Sequence, residues 1–195
     1  NRIINNVLNH VGEKSFATIP ATFSWSTIAN RIFYDTQKFT YYNSFYVWTP
    51  ITYINGYKLY YNSQELAQGD TTFLTVVVLH LKSGSYPGNQ TARYEAMQDL
   101  MNRLESMGMD NYILSGDFNC YSHLDSGIVN ALYWENPSFR FYDPLNKLGN
   151  WGSNSYYSEI HTQSTHAGFD DACFSGGGMD DRFDFILVSP YVNYG

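Results

Sequence analysis

The stretch Tyr112-Ile113-Leu114-Ser115-Gly116-Asp117-Phe118-Asn119 constrains the fold of this chain more than any other. An apolar run passes through a small residue and a glycine into an Asp and an Asn two positions apart. That is the pattern of a buried strand delivering polar groups at its end. Residues two apart on a strand share a face, so Asp117 and Asn119 stand side by side with Phe118 turned to the core. Gly116 lets the chain bend, or another backbone approach, where the strand stops. The same letters also make an ordinary strand-to-turn junction, because turns favour Gly, Asp and Asn.

Two further apolar strands carry polar groups. Thr75-Val76-Val77-Val78-Leu79-His80-Leu81-Lys82-Ser83 is too continuously apolar for a half-exposed strand and ends in a histidine. Asp180-Asp181-Arg182-Phe183-Asp184-Phe185-Ile186-Leu187-Val188 holds Asp184 inside an apolar strand. Between the first of these and Tyr112, the residues Met97, Leu100, Met101, Leu104 and Met107 recur at helical spacing. They predict a long helix capped by Asn89 and stopped by Gly108. Strand, helix, strand is a βαβ-like unit, which brings the ends of both strands to one edge of the sheet, with His80 and Asp117 within reach of each other.

Three motifs in this order resemble the endonuclease/exonuclease/phosphatase superfamily, which includes pancreatic-type deoxyribonucleases, abasic-site endonucleases, neutral sphingomyelinases and inositol polyphosphate 5-phosphatases. Gly116-Asp117-Phe118-Asn119 matches its central motif. His80-Leu81-Lys82-Ser83 matches the histidine strand of the deoxyribonuclease and sphingomyelinase branches. Arg182-Phe183-Asp184-Phe185 matches a strand usually read Arg-Ile-Asp-Tyr. One four-letter word is weak and three in order are strong.

The resemblance implies an α/β (α+β) fold, a four-layered αββα sandwich of two packed mixed β-sheets with outer helices and the site at one end. It also implies a metal-dependent phosphoester hydrolase, foremost a phosphodiesterase of nuclease or sphingomyelinase type, using Mg²⁺ or Mn²⁺, with DNA or RNA among its possible substrates. Asp117 would deprotonate or hold the attacking water, and Asn119 would donate to water or a phosphoryl oxygen, the two also being the metal ligands on offer. His80, when protonated, would donate to a phosphoryl or leaving oxygen, and Asp184 would accept from a histidine ring. Each residue has a plainer reading: a strand-end histidine bonded to backbone, and a buried Asp184 paired with Arg182 or an amide.

Deoxyribonucleases of this superfamily carry a disulfide in a broadly similar place, which implies a Cys120–Cys173 bridge; two free thiols is the alternative. The superfamily's Gln-Glu strand, whose Glu holds the metal, and its closing Ser-Asp-His are absent from this sequence. The chain matches about the middle two thirds of a typical family domain, as a single domain over residues 1–195 truncated at both ends, and little or no catalysis is expected of it alone. A phosphomonoesterase on the same fold, or a binding or surface module that kept the sheets, are the other readings.

The rest of the chain carries less chemistry. Ile3, Ile4, Val7, Leu8 and Val11 predict an amphipathic helix over residues 2–11 covering a sheet. A strand is expected at Arg31–Tyr34, a turn at Asp35–Lys38, and extended Tyr-rich chain over 39–62 with Asn55-Gly56 as a hairpin signal. The tyrosines read more economically as a sheet face than as a binding platform. A short helix is expected at 126–134, capped by Asp125 or Ser126, and then a long polar loop from Trp151 to Gly178. His161 and His166 lack further ligands at metal spacing. Asp170-Asp171 and Asp180-Asp181 are candidates for Ca²⁺, though acid pairs in loops are usually just solvated.

The 195 residues carry a net charge of −7 with 11 Lys and Arg, which argues against holding nucleic acid on a broad basic surface. A hydrolase that reaches phosphate through a bound cation does not need one. Few basic residues among abundant Asn, Tyr and Ser fit an exported protein, secreted or at the cell surface. No apolar run is long enough to span a bilayer.

Overall fold

The computed structural model describes residues 2–10, 12, 14–19, 29–166 and 177–194. Strands β1 (Phe16–Thr18) and β2 (Phe33–Asp35) form a small antiparallel sheet. The five strands β3 (Phe39–Val47), β4 (Ile54–Tyr61), β5 (Phe73–His80), β6 (Tyr112–Asp117) and β7 (Asp184–Val188) form a larger one, hydrogen-bonded in that order. Only β5 and β6 run parallel, so the large sheet is mixed. A parallel pair needs a crossover, and helix α1 (Pro87–Met107) supplies it.

Alternation along the central strands sorts their side chains. Val77, Leu79, Leu114, Phe185 and Leu187 point to one face and join a single buried cluster with Met97, Leu100, Met101 and Leu104 of α1 and Ile128 of helix α2 (Ser126–Leu132). On the other face Tyr57 and Leu59 of β4 and Val78 of β5 pack with Ile19, Ile32 and Tyr34 from the small sheet and its flanks. A π-helical turn at Ile4–Leu8 contacts β1 on the outside. The layers are therefore helices, large sheet, small sheet and helical turn, the two-sheet arrangement expected. Among the described residues the small sheet and its flanks pack on β4 and β5. On the same face of β7, Ile186 is 59% exposed.

Several local expectations are corrected. The amphipathic helix over 2–11 is a five-residue π-helical turn with no side-chain cap and no buried residue, and Ile3 and Val7 face solvent. Too short to propagate on its own, it is held by a side-chain clasp, Asn9 Nδ2 donating to the Phe16 carbonyl and Phe16 N to Asn9 Oδ1. Asn55-Gly56 is not a turn but lies inside β4, where Phe45 stacks directly over Gly56 from the paired strand. The chain reverses instead across residues 48–53, where the Thr49 hydroxyl donates to the Thr52 carbonyl. The strand expected at Arg31–Tyr34 is Phe33–Asp35. Helix α1 starts two residues before Asn89, at Pro87, a residue pre-set for the first helical position. Its stripe is buried as expected except Met107, which is exposed at the end, and Gly108 stops it at φ 92°.

Candidate active site

Strand pairing alone assembles the site. In the β5–β6 register His80 stands opposite Asp117, and in the β6–β7 register Asp117 stands opposite Asp184. Three polar side chains, each from a different strand, thus form one row across the edge where all three strands reach the same level. Leu81 N donates to the Asp117 carbonyl and Phe118 N to the Phe183 carbonyl, which extends the ladder one residue beyond the row on each side.

Gly116 makes the row possible. It sits at φ 138°, and a Cβ there would collide with the Leu79 carbonyl oxygen, so only glycine lets β5 and β6 pair this closely just before Asp117. Phe118 is fully buried, as alternation requires.

Asn119 departs from the expectation that it shares a strand face with Asp117. Strand β6 ends at Asp117, and Asn119 adopts a left-handed backbone at φ 51°, a conformation Asn tolerates better than most residues. Its backbone N–H then reaches back to Asp117 Oδ1 (2.9 Å). Its side-chain Nδ2 donates to the Leu81 carbonyl (3.0 Å), so one of its two amide hydrogens is already engaged. Asn119 ties the ends of β5 and β6 together beside the row.

The His80 Nε2 to Asp117 Oδ2 separation is 3.9 Å, too long for a hydrogen bond but within charge range, and both side chains are about a third exposed. Burial pushes the Asp117 carboxyl above its ordinary value, and nearby Asp184 adds to the rise. His80 and the Asn119 N–H act in the opposite direction without cancelling it.

Asp184 opens β7 rather than sitting within it, and it is exposed. Its partner is not Arg182, which forms a buried two-pronged ion pair with Asp143 (2.8 Å to each oxygen). Burial alone would raise the Asp143 carboxyl, but Arg182 outweighs it and holds the group below the usual carboxylate range. Thr162 Oγ1 accepts from the N–H groups of both Phe183 and Asp184 (3.1 and 3.0 Å).

Of the segment expected to be a long loop, the described part up to Thr162 is thus pinned. Thr162 N donates to the Asp181 carbonyl, and Ser155–Ile160 forms a 3-10 turn. It roofs a cavity of about 580 Å³ beside the row, lined by Ser115, Asp184 and Ile186 of the sheet and by Leu145, Ile160 and Thr162.

His161 is buried, with Nδ1 2.6 Å from the Met179 carbonyl and Nε2 3.1 Å from that of Trp151. Both ring nitrogens face backbone, so it is neither a metal ligand nor a partner for Asp184. Asp181 is buried rather than solvated. Burial, with Asp180 alongside, lifts its carboxyl to about 6 against the pull of His161.

Among the described residues no three His, Cys, Asp or Glu side chains converge as a metal cage. Asp170, Asp171 and Cys173 lie outside the described residues. Cys120 is buried with Sγ donating to the Phe118 carbonyl (3.4 Å) and Asp125 Oδ1 (3.5 Å), and burial drives its thiol well up.

Sequence reasoning missed Thr162, Asp143 and the buried Arg93. Only Arg93 left a readable signal, a charged residue four positions before Met97 on the buried stripe of α1.

No family model matches the sequence, and no curated protein matches it. Solved structures do. The human Nocturnin catalytic domain with bound sulfate anion superimposes with a TM-score of 0.53 at 13% identity, over 91% of this chain and 61% of that one. A functionally unknown conserved protein from Enterococcus faecalis V583 gives 0.56 at 14% identity, over 91% and 65%. An endonuclease/exonuclease/phosphatase family protein from Bacteroides thetaiotaomicron gives 0.47 at 18% identity, over 83% and 55%. The chain therefore spans less than two thirds of the length of each. Taken with the mixed five-stranded sheet, the small sheet packed on its face and the outer helices, the first two likenesses show that this chain shares the fold of the Nocturnin catalytic domain and of the Enterococcus faecalis protein.

Proposed function

We propose that the protein is a phosphoester hydrolase, and within that class a phosphodiesterase of exported, nuclease-like type acting on DNA or RNA. The observation that carries the reading is the row of His80, Asp117 and Asp184 with Asn119 at its end. Register brings His80, Asp117 and Asp184 to one sheet edge and the bond to the Leu81 carbonyl holds the Asn119 amide beside them, an arrangement that supports phosphoryl transfer.

Asp117 has one oxygen, Oδ1, held by the Asn119 N–H, which leaves Oδ2 to accept the proton of an attacking water. His80 carries that proton's counterpart to the leaving oxygen, so the phosphorus–oxygen bond breaks without releasing a bare alkoxide. The second amide hydrogen of Asn119 is available to a phosphoryl oxygen. Asp184 adds negative charge beside Asp117 and so raises its basicity.

Asp117 and the Asn119 side-chain oxygen are hard donors suited to Mg²⁺ or Mn²⁺, an incomplete set that fits an ion keeping several waters. When bound, such an ion neutralises charge on the phosphoryl oxygens.

The test is hydrolysis of bis-p-nitrophenyl phosphate and plasmid DNA with and without Mg²⁺, by this chain and by any longer polypeptide that contains it. Activity lost in Asp117→Ala with Asn119→Ala, in a variant that still unfolds cooperatively, supports the site. Faster turnover of the monoester p-nitrophenyl phosphate selects the phosphomonoesterase. Equal hydrolysis by the double variant, or none by any form, overturns the assignment in favour of a binding module.

A further inference from the structure

We infer that Arg93 is a positioning residue for this site, a guanidinium that sets where the ends of β5 and β6 stand; the inference rests on the phosphoester-hydrolase reading of the site. Arg93 occupies a core position of α1, one turn before Met97, and none of it is exposed to solvent. Its Nη1 donates to the carbonyls of Lys82 (2.7 Å) and Gly84 (2.9 Å), on the segment that leaves β5 just after His80. Its Nε and Nη2 donate to the two oxygens of Asp125 (3.0 and 2.6 Å), on the segment that leaves β6 after Asn119.

Asp125 is itself tied down. Its Oδ1 also accepts from Gly127 N, capping α2, and from the Cys120 thiol next to Asn119. Gly127 packs so closely on the Arg93 side chain that a Cβ there would press against it. One planar fork therefore joins the two strand exits whose first residues are His80 and Asp117, and Asn119 closes the loop by bonding Leu81. A buried charge that serves only packing has no need to spend its donors on two separate site loops. Lysine, with a single ammonium, cannot make the same four contacts.

The experiment uses the full chain with Arg93→Lys, with Asp125→Asn as a second, shape-preserving variant, and with Leu104→Ala as a core control compared at matched loss of Tm. Amide hydrogen exchange at Leu81, Phe118 and Asn119, whose N–H groups bond within and beside the row, reads the clamp without any need for turnover. In the Arg93 and Asp125 variants exchange at these three amides is expected to rise above that of the β5 and β6 interiors, and in Leu104→Ala to rise uniformly. Where hydrolysis is measurable, kcat is expected to fall about 100-fold with KM little changed, the signature of misplaced groups. Uniform exchange in Arg93→Lys and Asp125→Asn, matching the control, overturns the clamp. Selective exchange with no hydrolysis by the unaltered chain or by any longer polypeptide that contains it keeps the clamp and overturns the reading of the site.

Discussion

Asp117 is placed where its chemistry opposes its stability. Burial raises its carboxyl above the ordinary value, so the folded state prefers it protonated. The stability it contributes is present below the unfolded value and lost as pH rises through the folded one. Asp117→Asn is therefore expected to hold or raise Tm at pH 7 while hydrolysis falls by about 10² to 10⁴, the usual worth of a positioned base. A lower Tm with activity intact would contradict both halves. Asp181 obeys the same sign with a stated window, its carboxyl lifted from 3.8 to about 6. Asp181→Asn should leave stability unchanged at pH 4 and add about 1–2 kcal/mol at pH 8 after allowance for screening, as read by urea unfolding at the two pH values. His80 and Asp117 were legible as residues because each ends an apolar run. The turned-in amide of Asn119 was not, because it depends on a left-handed backbone that no letter in the sequence specifies.

Two glycines within strands test the elements. A Cβ at Gly116 meets the backbone oxygen of Leu79, which cannot move without parting β5 from β6, and φ there is positive as well. A Cβ at Gly56 meets only the ring of Phe45, a half-buried side chain that can swing. Gly116→Ala is thus expected to cost about 3 kcal/mol or more and Gly56→Ala nearer about 1 kcal/mol, measured by denaturant midpoints at equal m. Equal costs would mean that the two strands tolerate separation at the site. The long elements were readable because their periodicities are strong: the stripe from Met97 to Leu104, and the apolar runs of β5 and β6. Asn55-Gly56 misled because a hairpin signal and a strand glycine under an aromatic ring use the same letters, and only the register Phe45 to Gly56 distinguishes them.

At the scale of the whole molecule, the described residues cover the large sheet on one face and only in part on the other. Leu114 is fully buried beneath α1, whereas Ile186 is 59% exposed on the opposite face. Leu114→Ala is expected to cost about 2–5 kcal/mol and Ile186→Ala less than about 0.5 kcal/mol in chemical unfolding. A comparable cost at Ile186 would show that this face is covered in solution. The charge of −7 bears on the same scale, because a net negative surface field does not draw a polyanion to the molecule. Among the described residues no helix is long and apolar enough to cross a membrane.

The sequence by itself determined the central βαβ unit, the buried faces of α1, β5 and β6, and the presence of His80 and Asp117 at strand ends. Hydrophobic period and strand-end polarity are local properties, legible wherever they occur. Tertiary structure decided that His80, Asp117 and Asp184 share one row, because register across three strands drawn from distant parts of the chain is set by backbone pairing and by the glycine that lets two strands meet. It also decided that Arg93 and Asp125, 32 residues apart, neutralise each other in the interior. Burying a charge is favourable only once its partner has arrived, and the partner is chosen by the fold.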